Sequence, residues 1–275
     1  MADIYQLVQA CYGNIAKKIV TNQEQDGEKK IAMAFGYSGD DLLSLPEKTN
    51  LGLSCGNPVA YANVKEGETV VDLGSGGGID VFLAARKVGP AGKAIGIDMT
   101  KNMIDLAIEN AKAAGLSNAT FIEASITSIP LPSSSVDCII SNCVINLVPA
   151  KDKGSVFHEI ARLLKPGGRL AISDILARKP LPKNIVEDMA LYMGCIAGAS
   201  QVAEYEEYLR QAGFQDILLV DTKSNLNLYK ESSYLQQSTC CGPSSGSKEQ
   251  KADSANIDYN ECAGSFQIYA VKPAV

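Results

Sequence analysis

The sequence predicts an α/β fold: a doubly wound, mostly parallel seven-stranded sheet with helices on both faces and an antiparallel last strand. Three observations carry this. Short apolar runs such as Thr69–Leu73 alternate with amphipathic stretches such as Ile79–Val88 and Lys101–Ala114, the rhythm of successive βα units. A glycine-rich turn, Gly74-Ser75-Gly76-Gly77-Gly78, joins the first run to the first of those helices. An acidic residue, Asp98, follows the second run. At 275 residues the chain has room for one domain of this kind with additions.

In chain order, residues 4–20 read as a helix with apolar Ile4, Leu7, Val8, Ile15 and Ile19, broken at Tyr12-Gly13, and 21–30 as a polar connector. Residues 35–53 are loop-like and deliver a tight turn, Ser54-Cys55-Gly56-Asn57-Pro58. Residues 1–62 are therefore expected to form an extension over the site that 63–223 build. Strands are expected at 69–73, 93–97, 119–123, 136–141, 169–176 and 216–223. Helices are expected at 79–88, 101–114, 151–164 and 202–212, the second and last closed by Gly115 and Gly213. An insertion at 177–200, with Pro180, Pro182 and a helix-like 184–193, starts on the crevice side and can wall a pocket. Residues 224–264 are polar and read as one long mobile loop. Residues 265–271 alternate as a final strand, expected antiparallel at the sheet edge.

The net charge of -6 and the acidic pI near 5.0 argue against a nucleic-acid surface. No apolar run approaches the ~18 residues of a membrane span, so a cytoplasmic protein is expected. The single histidine, His158, lies on a helix among apolar neighbours and is read as structural.

The glycine turn reads as a Rossmann-like nucleoside cradle. Dinucleotide sites want G-x-G-x-x-G, but counting from Gly74 the third position is Ile79. The pattern is instead acid-x-Gly-x-Gly-x-Gly from Asp72 to Gly78, which resembles the first motif of class I S-adenosylmethionine-dependent methyltransferases. Asp98 ends the second strand, where a carboxylate accepts from both ribose hydroxyls. Ser125 and Ile126 follow the third strand at the edge where many methyltransferases place an acid for the adenine amine. Asn142 and Cys143 run off the fourth strand beside the switch point.

Eight cysteines are many for such a chain, and in a reducing compartment they are thiols. Cys138 lies inside a strand and reads as packing. Cys55, Cys143 and Cys195 fall at three places that the fold turns towards the cofactor. Three thiolates suit a soft, thiophilic centre. Structural zinc favours four ligands from two C-x2-4-C pairs, and two such pairs are absent; trivalent arsenic takes three sulfurs and keeps a lone pair able to attack a methyl group without a general base.

Tyr12-Gly13, Ser54-Cys55-Gly56-Asn57-Pro58, the run from Asp72 to Asp80, Ser141-Asn142-Cys143-Val144-Ile145-Asn146-Leu147 and Gly194-Cys195-Ile196-Ala197-Gly198-Ala199 together resemble arsenite methyltransferases, over about residues 5–220. The resemblance implies a methyltransferase using S-adenosylmethionine, with Cys55, Cys143 and Cys195 as arsenic-binding and catalytic thiols. It implies Tyr12, Gly13, Asp72, Gly74, Ser75, Gly76, Asp98, Met99, Ser125, Ile126 and Asn142 as the cofactor site. It also implies thiol reductants such as thioredoxin or glutathione as partners. Some members carry a fourth cysteine between the Tyr-Gly pair and the Ser-Cys-Gly-Asn-Pro turn; here none lies between Cys11 and Cys55. Cysteine pairs near the C-terminus also occur in relatives, as Cys240-Cys241 does here. The alternatives are a methyltransferase for a small quinone- or sterol-like acceptor, and a thiol-rich metalloid-binding protein without methyl transfer.

Overall fold

A computed structural model of the protein describes residues 3–17, 22–231 and 258–274. Its centre is a seven-stranded sheet of order β3-β2-β1-β4-β5-β7-β6. The strands are β1 (Thr69–Leu73), β2 (Lys93–Asp98), β3 (Ala119–Glu123), β4 (Val136–Asn142), β5 (Leu164–Ala177), β6 (Gln215–Asp221) and β7 (Ala263–Val271). The first five are mutually parallel, and β7 runs antiparallel to both β5 and β6. The order turns back between β1 and β4, which opens a crevice beyond their carboxyl ends.

The pleat sorts alternate side chains into two layers. Val70, Ala94, Cys138, Ile140 and Ala171 pack with α4 (Pro58–Tyr61) and α5 (Ile79–Val88). Val71, Leu73, Ile139, Leu170 and Ile172 face α7 (Lys153–Leu163) and α10 (Val202–Gln211), where Phe157 meets Tyr205 edge-on at 5.0 Å. Between them in sequence lie α6 (Lys101–Ala114), α8 (Lys183–Val186) and α9 (Met189–Met193). A third apolar cluster lies apart from these layers, and it holds Cys11, Cys55, Cys143, Cys195 and Cys262 together.

Four expectations need correction. The first helix, α1 (Ile4–Lys17), runs unbroken through Tyr12-Gly13, because Gly13 lets the helix approach Asn102 of α6 closely. The polar stretch expected as a connector is α2 (Asn22–Ala34); its apolar residues Ile31 and Ala32 crowd one end, so no full helical period was visible. Part of the following loop is helical too: α3 (Gly39–Leu43), capped by Ser38, and a 3₁₀ turn at Glu47–Thr49. The last strand lies inside the sheet between β5 and β6, leaving β6 at the edge with Leu218 and Val220 exposed. β7 can enter there because six of its nine residues are buried and none is exposed, as suits an interior strand.

Two smaller differences concern turns. Lys165 to Gly168 form a bulge within the longer β5, where the pairing jumps from Val136↔Leu164 to Cys138↔Arg169. Of the expected polar loop, the parts on either side of 232–257 are packed: Leu226, Tyr229 and Tyr259 are buried in the thiol-containing cluster. Cys240 and Cys241 lie outside the described residues. Among the described residues, no helix is long and apolar enough to cross a membrane.

Candidate functional site

The glycine turn leaves β1 with Gly74 at φ +71°, where a Cβ would also collide with Val144. Gly74 and Ser75 donate their backbone N–H groups to the Ile97 carbonyl, at 2.7 and 2.9 Å, which closes the turn over β2. Asp98 then accepts from Gly76 N–H at 3.0 Å and from Thr100 N–H at 2.8 Å. Burial pushes the Asp98 carboxyl up, and these two donors oppose the shift.

A cavity runs from this turn to the end of β4. Tyr12, Asp72, Gly74, Ser75, Gly76, Asp98, Met99, Ser125, Ile126, Asn142 and Cys143 line it. Gly13 does not; it seats α1 on α6, and its carbonyl accepts from Asn102. Tyr12 donates to the Met193 carbonyl at 3.0 Å, tying α1 to α9 across the cavity. The Ser125 hydroxyl lies 2.8 Å from that of Thr127, so a local partner engages it.

Among the described residues, three buried side-chain polar atoms have no hydrogen-bond partner: Asp72 Oδ1, Ser75 Oγ and Thr49 Oγ1, all from residues lining this cavity. A buried orphan polar atom is costly unless a ligand satisfies it. A carboxylate and two hydroxyls on residues lining one cavity fit a zwitterionic methionine tail with its ammonium and carboxylate. Burial, with Asp80 and Asp98 nearby, pushes the Asp72 carboxyl well up, which a bound cation would reverse. Thr49 was missed in the sequence, because only the 3₁₀ turn packed on Gly77 brings it there.

The thiols come from three separate elements. Cys55 is held by the turn before α4, whose Asn57 caps the helix through Ala60 N–H at 3.1 Å while Pro58 starts it. Gly56 permits the approach to β5, since a Cβ there would collide with Ser173. Asn142 fastens the turn by accepting from Cys55 N–H at 3.1 Å and donating to Gly56 O at 2.8 Å, Tyr37 Oη at 2.7 Å and Asp80 Oδ2 at 3.1 Å. From β7, the Ser265 hydroxyl donates to the Cys55 carbonyl at 2.5 Å. Tyr229 covers the turn, donating to Ser54 O at 2.8 Å and stacking on Phe35.

Cys143 and Cys195 occupy left-handed backbone, at φ +59° and +63°. The Cys195 thiol donates to the Cys143 carbonyl at 2.8 Å. The Cys143 sulfur lies within 4.8 Å of that of Cys55, and Cys143 alone of the three lines the cavity. Burial pushes the Cys55 thiol up to about 11 and Cys143 well above its ordinary value. Contact with the Cys143 thiol, then burial, does the same to Cys195. All six cysteines among the described residues are free thiols. Cys138 is buried within β4 and Cys11 on α1, while His158 is exposed and bonded to the Gly154 carbonyl of its own helix.

An unforeseen acid completes the group. The thiol sulfurs of Cys55 and Cys143 and a carboxylate oxygen of Asp174 lie within 4.8 Å of one another, all three residues buried. Asp174 Oδ1 accepts from Asn146 at 2.9 Å and from Ile175 N–H at 3.0 Å; Oδ2 accepts from Tyr205 at 3.5 Å. Burial pushes this carboxyl up to about 7, against the pull of Lys153. Asn146 also donates to the Cys195 carbonyl at 3.2 Å, and Lys153 to Ser200 Oγ at 2.9 Å. An acid in the mostly apolar carboxyl-terminal half of β5, Leu170–Ala177, was the available sequence signal.

The match to the methyltransferase-domain family covers residues 64–213. The chain is 46% identical over 183 residues to an arsenite methyltransferase of Halobacterium salinarum, an alignment covering 66% of this chain and 46% of that protein. It is 32% identical over 223 residues to an arsenite methyltransferase of Homo sapiens, covering 78% of this chain and 58% of that protein. Its structure resembles that of an arsenic (III) S-adenosylmethionine methyltransferase from Chlamydomonas reinhardtii, with a TM-score of 0.59, 29% identity and coverage of 89% and 73% of the two chains. The chain thus spans about half the length of these curated relatives. The Rossmann-like sheet, the acid-x-Gly-x-Gly-x-Gly turn and the family match over more than half its length agree: the chain belongs to the methyltransferase-domain family.

Proposed function

We propose that this protein transfers methyl groups from S-adenosylmethionine to trivalent arsenic held by Cys55, Cys143 and Cys195. The observation that carries this reading is the convergence of three buried cysteines from distant parts of the chain on Cys143, which takes the Cys195 thiol on its carbonyl, has the Cys55 sulfur within 4.8 Å and lines the cavity beside the glycine turn. Asp72, Ser75 and Thr49 would hold the methionine end of the cofactor and Asp98 its ribose. When bound, the cofactor supplies an electrophilic methyl group on a sulfonium.

The raised thiol values suit arsenic capture. Arsenous acid condensing with three thiols forms three As–S bonds and three waters, each thiol proton leaving with a hydroxyl, so no thiolate has to be made in advance. The apolar enclosure would keep water from competing for arsenic. Positioning the lone pair along the methyl–sulfur axis would supply most of the rate. Thiol reductants such as thioredoxin or glutathione would sustain turnover, and six free thiols suit the reducing cytoplasm.

The test is incubation of purified protein with S-adenosylmethionine, arsenite and a thiol. Methylated arsenicals are expected from the wild type, and nearly none from Cys143→Ser or Cys195→Ser. Undiminished activity in both variants would overturn the reading.

A further inference from the structure

Asp174 is a buried carboxylate with a cation, Lys153, near it but no direct ion pair. Its relative exposure is 0%, and no ion pair to it is present among the described residues. The nearest candidate, Lys153, spends its ammonium on the Gly198 carbonyl, Ser200 Oγ and Asn146 Oδ1. Asp174 Oδ2 has only the long contact from Tyr205, at 3.5 Å. A buried carboxylate left in this state costs stability, and substitution would remove that cost unless function retains the charge.

Its position suggests what the missing positive charge is. A carboxylate oxygen lies within 4.8 Å of the sulfurs of Cys55 and Cys143, yet Asp174 does not line the cofactor cavity; Cys143 lines that cavity and takes the Cys195 thiol on its carbonyl. The group therefore stands behind the thiol cage, on the acceptor side of the methyl transfer. Methyl transfer breaks the methyl–sulfur bond, whose electrons stay on sulfur, and forms a carbon–arsenic bond from the arsenic lone pair. The sulfonium becomes a neutral thioether and arsenic becomes a cation; no proton moves.

We propose that Asp174 is a catalytic residue whose carboxylate offsets the positive charge arriving on thiol-bound arsenic during methyl transfer. This rests on the arsenic reading above. A fixed charge beside the atom where charge appears, and farther from the atom it leaves, stabilises the transition state more than the ground state. Asn146 supports the arrangement by bonding at once to Asp174 and to the Cys195 carbonyl, so carboxylate and thiol loop keep one register.

The experiment compares the full-length wild type with Asp174→Asn and, in parallel, Asp174→Ser. Arsenite binding, S-adenosylmethionine binding and the single-turnover rate of the first methyl transfer are measured separately. Asparagine keeps an acceptor for Asn146 and Ile175 and removes only the charge; should it fold poorly, the serine variant supplies the measurement. Both affinities are expected within about threefold of the wild type, while methyl transfer slows by at least about thirtyfold. A wild-type rate in the folded variant overturns the role of Asp174 and leaves the arsenic reading standing. Lost arsenite affinity with an unchanged rate overturns it too, since that outcome belongs to a ligand or a scaffold. A wild type that binds no arsenite overturns both.

Discussion

The Cys195 thiol donates to the Cys143 carbonyl at 2.8 Å, and both residues sit in left-handed backbone. Non-glycine residues avoid that region, at a cost of about 1 kcal/mol or more each. Two such residues in contact at one site indicate geometry kept for what the side chains do.

Backbone strain at these positions separates stability from activity. At each, the glycine variant is expected to be more stable than the alanine variant by about 1 kcal/mol, because glycine adopts positive φ freely. Both should lack methyl transfer. Denaturant unfolding of the four proteins checks this, and equal stability of each pair would show that the backbone there is unstrained.

The thiols should resist alkylation in the free protein. With Cys55 at about 11, few of its sulfurs are ionised at pH 8, and the thiolate is the reactive form. Iodoacetamide is expected to modify native Cys55 about a hundredfold more slowly than free cysteine, with the rate rising steeply with pH. Mass spectrometry of timed samples measures this; modification at the free-cysteine rate would contradict it.

Asp174 should leave a mark on stability against pH. Its folded value is about 7, above the ordinary carboxyl value of 3.8, so between those limits the folded state binds more protons than the unfolded one. Its contribution to stability therefore falls as pH rises from about 4 to about 7 and stays low above that. Asp174→Asn removes this loss, so the variant should gain on the wild type by a few kcal/mol between pH 4 and pH 8. Urea unfolding at several pH values tests it; parallel curves for the two proteins would refute it.

Thr49 offers a test of the cofactor end. Thr49→Val keeps the shape and removes the orphan hydroxyl, so it should leave the fold intact or slightly stabilised while weakening S-adenosylmethionine binding about tenfold. Calorimetric titration measures the affinity, and an unchanged value would exclude contact between that hydroxyl and the cofactor.

Much of this molecule was legible before folding. The bounds of β1, β3, α5 and α6 match the expectation residue for residue, because each is written locally in apolar period and glycine stops. The cavity beside the glycine turn was legible for the same reason: Asp72, the glycines and Asp98, which line it, lie within one βαβ unit. Less visible were α2, whose polar face hid its period, and Thr49 and Asp174, whose roles depend on distant neighbours.

By itself, then, the sequence determined most of the strands and the helices that flank the sheet, and the glycine turn between β1 and α5. Tertiary structure alone decided that β7 enters between β5 and β6, that Ser265 and Tyr229 clamp the Cys55 turn, and that Asp174 stands behind the thiols. Local elements follow from backbone propensity and short-range periodicity. Contacts across some 200 residues follow from which faces can be buried together, and loop-closure cost rises too slowly with length for spacing to reveal them.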